Sequence, residues 1–200
     1  MSSVEKSFVL SEAQKRDLLR LARNTIAAYL AGLPLPLAES SGLNELHAGV
    51  FVSLHIGEHL RGCIGYVEES RSLLEALQET AISAASRDPR FEPLSAGELP
   101  QVEIEISVLS PLGKITSPAE IMPGKHGVMV RLGPHQGLLL PQVALHHNWE
   151  ASPAGVETFL EHVCQKAGLP AEGWKDPNAE IFIFEAEVFS EANISEDSAE

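Results

Sequence analysis

The segment 101–110 alternates apolar and polar residues, and this pattern constrains the fold more than any other part of the chain. The apolar side of the alternation consists of Val102, Ile104, Ile106 and Val108. The polar side consists of Glu103, Glu105 and Ser107. Because successive side chains of a strand point to opposite faces, the segment predicts a strand with one buried and one solvated face. That arrangement is typical of an antiparallel sheet.

Helical and strand patterns are mixed along the rest of the chain, without a repeating strand–helix–strand unit. Apolar spacing and start signals, among them Ser11 followed by Gln14, predict helices over 12–31, 72–87, 141–147 and 154–167. Strands are predicted over 49–56, 59–67, 127–132, 137–140 and 181–189, and 114–121 is predicted to be a connector or a short strand. The order favours an α+β fold with a mainly antiparallel sheet flanked by helices.

Composition excludes several classes of protein. The chain has 200 residues, of which 44% are hydrophobic, enough for one domain or one domain with a small lobe. Its formal net charge of −14 opposes attraction to phosphate backbones, so nucleic acid is not an expected partner. No apolar run approaches the roughly 18–20 residues that span a bilayer, and no signal peptide is evident, so we expect no membrane association and a cytoplasmic location. The polar, acidic residues 191–200 predict a disordered tail.

The stretch Leu60–Tyr66 contains one of only two cysteines in the chain, and both cysteines are expected to be free thiols. Gly62 and Gly65 flank Cys63, and glycine in a strand indicates a bulge or a close approach to the backbone, so both are candidates to approach a ligand. Arg61 would share a face of a regular strand with Cys63, where its charge favours the reactive thiolate. The stretch predicts either a small electropositive thiol site or a tight hairpin with a buried cysteine.

Several further motifs follow in order along the chain. They are 88–91 (DPRF), 102–109 (VEIEISVL), 127–130 (GVMV) followed by 137–144 (GLLLPQVA), and 164–169 (CQKAGL) with Trp174. Together with residues 60–66 they resemble the AMMECR domain family, whose prokaryotic members are called AmmeMemoRadiSam system protein A. The resemblance covers residues 8–190 and implies a single AMMECR-type domain with a larger lobe, a smaller lobe and a cleft between them. It also implies a Memo-like protein and a radical S-adenosylmethionine (SAM) protein as partners.

Three more residues are candidates for ligand binding. Asp88 precedes Pro89 after a helix and is expected to accept backbone amide hydrogen bonds, so that Arg90 packs or pairs beside it. The alternative places Arg90 with Arg61 around an anionic ligand. His126 precedes a strand that begins with glycine, and Gln142 either lines a cleft or caps the start of a helix.

The sequence does not identify a metal, a cofactor or a general base. No His or Cys spacing matches a metal site, and no Walker loop, dinucleotide fingerprint or CxxxCxxC motif occurs, so neither metal nor cofactor is expected. His59 would share the face of Cys63 in a regular strand, but about 13 Å separates the two residues. Glu103 and Glu105 form either a carboxylate pair for acid–base chemistry or a solvated face. Cys164 is predicted to be a core residue.

Two functions of different kinds are compatible with these features. The first is an enzyme, or an enzyme component, that uses Cys63 and Arg61 together with the partners implied by the resemblance to modify a protein, an RNA or a metabolite. The second is a non-catalytic binding or adaptor module in the same system. Direct nucleic-acid binding is the weakest hypothesis, and the sequence leaves a homodimer open.

Overall fold

The computed structural model describes residues 9–40, 42–67 and 71–194, which divide into two compact units. The large unit comprises residues 9–109 and 187–194 of the described chain, and the small unit comprises residues 110–186. Each unit has a four-stranded sheet and its own hydrophobic core. The predicted α+β class with antiparallel pairing is confirmed, but there are two sheets rather than one.

The helices and strands lie close to their predicted positions. The large unit contains α1 (Glu12–Ala31), β1 (Val50–Ile56), β2 (His59–Tyr66), α2 (Leu73–Ser86), β3 (Glu103–Leu109) and most of β8 (Ala186–Ser190). The small unit contains β4 (Gly113–Ile115), β5 (Gly127–Leu132), β6 (His135–Leu139), α3 (Pro141–His146), α4 (Pro153–Lys166) and β7 (Glu180–Phe184). Three short 3-10 helices span Leu99–Gln101, Pro118–Glu120 and Ala171–Lys175.

The sheet of the large unit has the strand order β2-β1-β3-β8, and the apolar sides of its strands pack with α1 and α2. The buried side of the alternation predicted for 101–110 is confirmed, since Ile104 and Ile106 are fully buried. On the polar side, Glu103 and Glu105 are half-buried, but Ser107 is buried as well. The predicted capping box at Ser11 also forms, because the Ser11 and Gln14 side chains accept hydrogen bonds from each other's backbone amide. Strand β2 is an edge of this sheet, so one side of its backbone needs partners outside the sheet.

The sheet of the small unit has the strand order β4-β7-β5-β6 and packs with α4. Helix α4 buries Phe159, Leu160, Val163 and Cys164 against residues of β5 and β7. Cys164 is fully buried, which confirms its predicted place in the core. Burial raises the pKa of the Cys164 thiol, so this sulfur is kept protonated and inert.

The single strand predicted over 181–189 is wrong. The segment forms β7 and β8, which belong to different sheets. Between them, the Glu185 carbonyl oxygen accepts a hydrogen bond from the Ser110 amide, and the Glu185 amide donates to Ser110 Oγ, each at 2.9 Å. Apolar residues occur on both sides of this break, in residues 181–184 before it and at Val188 and Phe189 after it, so the apolar pattern did not reveal that the chain changes sheets.

The structure differs from the predicted disordered tail at residues 191–194. The Glu191 carboxylate accepts hydrogen bonds from the Arg23 guanidinium and from the Ile104 amide, and Ile194 packs against the core of the large unit. The rest of the predicted tail, 195–200, lies outside the described residues. In the described part of the chain, no helix has both the length and the apolar character that crossing a membrane requires.

Candidate functional site

Cys63 lies half-buried on the edge strand β2 and faces a polar row that crosses the sheet. Ser53 of β1 is directly opposite Cys63, and its hydroxyl oxygen lies 3.2 Å from Cys63 Sγ. Glu105 of β3 is directly opposite Ser53 on the other side. Because residues in register share a face of the sheet, a thiol, a hydroxyl and a carboxylate lie side by side there.

The backbone of Cys63 is held by two side chains from the segment that follows α2. The Cys63 amide donates to Asp88 Oδ2 at 2.8 Å, and the Cys63 carbonyl oxygen accepts from Arg90 Nη2 at 3.2 Å. Arg90 also forms a bidentate pair with Asp88, through Nε to Oδ1 at 2.9 Å and Nη2 to Oδ2 at 2.7 Å. The Asp88–Arg90 pair therefore provides the donor and the acceptor that a neighbouring strand would otherwise offer to this edge.

The electrostatics of the Asp88–Arg90 pair keep both of its side chains charged. Asp88 is only 5% exposed, and its hydrogen bonds from Arg90, and then from the amides of Cys63 and Arg90, lower its pKa to about 2 against the opposing effect of burial. Asp88 in turn is the main group that raises the pKa of Arg90, and the Cys63 side chain acts in the same direction. Arg90 is therefore a charged guanidinium held next to Cys63 by its hydrogen bond to the Cys63 carbonyl oxygen.

Arg61 has a different set of partners. Its Nε donates to Glu98 Oε1 at 2.9 Å, and its Nη1 donates to the Glu92 carbonyl at 2.8 Å. The register between β1 and β2 shifts at this point, because Leu54 pairs with Gly62 but the next residue pairs with Leu60, leaving Arg61 as the extra residue of a bulge. The prediction of a regular strand, which would place Arg61 on the same face as Cys63, is therefore wrong.

The same bulge changes the position of His59. His59 pairs with Ile56 at the hairpin turn, while Leu60 pairs with His55. The face that His59 shares with Cys63 in a regular strand is lost, since the extra residue reverses the alternation between them. Among the described residues, Ser53 forms the side-chain hydrogen bond with the Cys63 thiol, and His59 does not take part in it.

Both glycines beside Cys63 have packing roles. A Cβ atom at Gly62 would overlap the carbonyl oxygen of Ala84 in α2, so the missing side chain lets the helix lie directly on the strand. A Cβ atom at Gly65 would overlap the ring of Phe51, which covers the opposite face of β2. The predicted close approach to the backbone is confirmed for both, and its partners are a helix and an aromatic ring. That either glycine also approaches a ligand stays a prediction.

His126 and Gln142 belong to the small unit. His126 is 5% exposed, and its Nδ1 accepts a hydrogen bond from the Met122 amide at 3.1 Å, which closes the turn before β5. Burial is the main cause that lowers the pKa of His126. Gln142 lies in the first turn of α3 with a buried side-chain oxygen. The residues around Cys63 belong to the large unit instead. The roles of His126 and Gln142 in ligand binding stay predictions.

Ser53 is the site residue that sequence reasoning missed. The hairpin gave only an approximate signal. Counting back from the Gly57–Glu58 turn in a regular register places Ser53 opposite Gly62, next to Cys63. The bulge moves the pairing by one residue, to Cys63. The described residues include no group of three His, Cys, Asp or Glu side chains arranged to hold a metal ion.

Fold and site together define an α+β protein with two antiparallel sheets and a half-buried cysteine held at the edge of one of them. Residues 19–189 match the AMMECR1 family, and the chain belongs to this family. The family resemblance found in the motifs is thereby confirmed.

Relatives from archaea support this assignment over most of the chain. A Methanopyrus kandleri protein is 43% identical over 184 residues, which cover 87% of this chain and 86% of that protein. A Methanocaldococcus jannaschii protein is 39% identical over 181 residues, which cover 86% and 88%. The crystal structure of an uncharacterized protein from Pyrococcus horikoshii matches with a TM-score of 0.79 at 36% identity, covering 88% of this chain and 91% of that one.

Proposed function

We propose that the protein is an enzyme, or an enzyme component, in which Cys63 acts as a nucleophilic thiol. The observation that carries the proposal is the hold on Cys63: its amide, its carbonyl and its sulfur each have a partner, from Asp88, Arg90 and Ser53. A nucleophile fixed in this way loses little conformational freedom when it reacts. In this proposal Arg90, whose Nη2 donates to the Cys63 carbonyl oxygen, stabilises the thiolate, which is the reactive form.

Arg90 supplies the second element of the proposed chemistry. Its hydrogen bonds engage Nε and Nη2, and among residues 9–40, 42–67 and 71–194 none accepts a hydrogen bond from Nη1. The side chain is 55% exposed, and the guanidinium carbon lies 5.4 Å from the centre of the Phe91 ring, which supports it from one side. We assign Nη1 to a carbonyl oxygen of the substrate. The thiolate adds to the adjacent carbonyl carbon, and the electron pair of the broken C=O π bond goes to the oxygen that Nη1 holds.

The proton of the thiol needs an acceptor, and the row across the sheet offers one. Ser53 contacts the sulfur, and the Glu105 carboxylate is the next group in register. We propose that Glu105 receives the proton through Ser53. In this proposal Glu105 takes part in acid–base chemistry and is more than a residue of a solvated face of β3.

The partners belong to the same proposal. The family resemblance supports a Memo-like protein and a radical SAM protein, and the reaction is proposed to modify a protein, an RNA or a metabolite in the cytoplasm. The radical step is assigned to the partner, because this chain lacks a CxxxCxxC motif. The AMMECR-type domain is proposed to span residues 8–190, with a cleft between its lobes and with homodimer formation open to test.

One observation favours the alternative, an adaptor without catalysis. Within the described residues, the only side-chain hydrogen bond to Cys63 Sγ comes from Ser53, and the nearby Asp88 carboxylate is fully occupied by Arg90 and backbone amides. In the part of the chain that the structure describes, no carboxylate or imidazole forms a hydrogen bond with the sulfur. An adaptor would need only the shape of this edge and not the reactivity of the thiol.

Reconstitution with the two partners separates these functions. The readout is the rate at which the radical SAM protein forms 5′-deoxyadenosine in the presence of the Memo-like protein and this chain. If Cys63 is catalytic, Cys63→Ser abolishes the stimulation by this chain, whereas the matched variant Cys164→Ala retains it. Full stimulation by Cys63→Ser establishes the adaptor, and no stimulation by the unmodified chain refutes both forms of the proposal.

A further inference from the structure

The small unit contains a cavity of about 340 Å³, and none of the residues around Cys63 lines it. Its floor is apolar and comes from three separate segments: Ile121 after a 3-10 helix, Val156 in the first turn of α4, and Trp174 in the last 3-10 helix. Ile121 and Val156 are 3% and 7% exposed and belong to the core of the small unit. The cavity therefore opens directly onto well-packed apolar side chains.

The walls of the cavity are fixed before anything binds. Pro118 and Pro153 each occupy the start of a helix, where the proline ring restricts the backbone. The helix of Pro118 has a complete capping box between Ser117 and Glu120, and α4 is capped by Ser152, whose hydroxyl accepts from the Gly155 amide. A preformed cavity binds without the cost of ordering its own walls.

The charge at the cavity is negative. Glu157 lines it and is exposed, and no residue in the described ranges forms a salt bridge with Glu157. The neighbouring cation, Lys175, is paired with Glu172 at 2.8 Å and lies over the Trp174 ring, while Glu157 and Glu161 act on it only at longer range. Together with the net charge of −14, this leaves a carboxylate beside an apolar cavity, which suits a cation attached to an apolar group.

We propose that this cavity receives one large apolar side chain of a basic peptide segment in a partner protein, with a flanking Lys or Arg of that segment paired to Glu157. The apolar floor formed by Ile121, Val156 and Trp174 suits an apolar side chain, and the volume of about 340 Å³ has room for it. The site uses none of the residues assigned to the thiol, so it goes beyond the proposed function and is tested independently of it.

The chain offers a direct probe of this site. It has two tryptophans, so its ¹H–¹⁵N spectrum contains two indole signals, which Trp149→Phe assigns. The titrants are three peptides with blocked ends: Gly-Lys-Phe-Lys-Gly, Gly-Glu-Phe-Glu-Gly and Gly-Lys-Ala-Lys-Gly. We expect the first to shift the Trp174 signal in a saturable way, and the other two to bind at least ten-fold more weakly.

Three variants separate the cavity from its surroundings. Ala119→Phe, at an exposed wall position, fills the cavity and should abolish the shift. Glu157→Gln should weaken the basic peptide about three-fold, since exposed ion pairs contribute little. Glu161→Gln, one turn further along α4 and outside the cavity lining, is the matched control and should leave binding unchanged. The proposal is overturned if the basic Phe peptide produces no saturable shift, if the acidic peptide binds equally well, or if Glu157→Gln and Glu161→Gln behave alike.

Discussion

Replacing Asp88 by Asn tests the hold on Cys63, because it removes the charge while keeping a side chain of nearly the same shape. The Asp88 carboxylate is almost fully buried and accepts hydrogen bonds from the Cys63 amide and from Arg90. Its pKa falls from an ordinary value of 3.8 to about 2. At about 1.4 kcal/mol for each pH unit, this corresponds to about 2 kcal/mol of stability at pH 7.

The pH dependence follows from the direction of this change. The folded pKa lies below the unfolded one, so the stabilisation is complete above the unfolded value of 3.8 and is lost as the pH falls through about 2. Asp88→Asn should therefore lower the free energy of unfolding by about 2 kcal/mol at pH 7, and by clearly less at pH 2.5, where the wild-type carboxylate is itself becoming protonated.

The assay is urea unfolding followed by far-UV circular dichroism, which reports both units. Both tryptophans lie in the small unit, so their fluorescence follows that unit specifically. Glu79→Gln is the matched control in the large unit, because Glu79 pairs with Arg71 on the surface and its loss should cost under about 1 kcal/mol. A loss below about 0.5 kcal/mol at pH 7 for Asp88→Asn, or a loss of the same size at pH 2.5, would refute the reasoning.

Two further predictions concern packing and pH. Gly62→Ala should cost about 1–3 kcal/mol in the same urea assay, because the new methyl group meets the Ala84 carbonyl, whereas Gly97→Ala, with open space around it, should have a far smaller effect; equal costs would contradict the packing role of Gly62. Burial lowers the folded pKa of His126, so the unfolded state takes up a proton first and the small unit should lose stability as the pH falls below the ordinary value of 6.5. Fluorescence-detected unfolding between pH 7.5 and 5.5 measures this loss, and His126→Gln should reduce the pH dependence; an unchanged dependence would show that other groups cause it.

The local patterns of the sequence predicted most of the fold. Apolar periodicity and capping residues placed α1, α2 and α4 to within one residue at nearly every end, because these signals depend on neighbours a turn away. The division of 181–189 between two sheets was not predictable in this way. It depends on the long-range pairing of β7 with β4 and β5 and of β8 with β3, which no local pattern marks.

The candidate site was predicted in part. Cys63 was found from its glycine neighbours, and the acceptance of backbone amides by Asp88 was expected and is observed. That Arg90 contacts Cys63 while Arg61 contacts Glu98 was not predictable, because each contact joins residues far apart in the sequence. The contact of Ser53 with the sulfur depends on the one-residue shift in register at the bulge in β2.

The alkylation rate of Cys63 at pH 7 tests the central claim most directly. Iodoacetamide labelling is followed by peptide mass spectrometry, with buried Cys164 as the internal reference that stays unlabelled in the folded protein. We expect Cys63 to be labelled, and Arg90→Ala to slow labelling by roughly three- to ten-fold, which corresponds to about 1 kcal/mol of interaction at a partly solvated site. Arg90→Lys should retain more of the rate, and Arg61→Ala should change it less. An unreactive Cys63, or a rate indifferent to Arg90→Ala, would contradict the assignment of Cys63 as a nucleophile and leave the adaptor as the function of this edge.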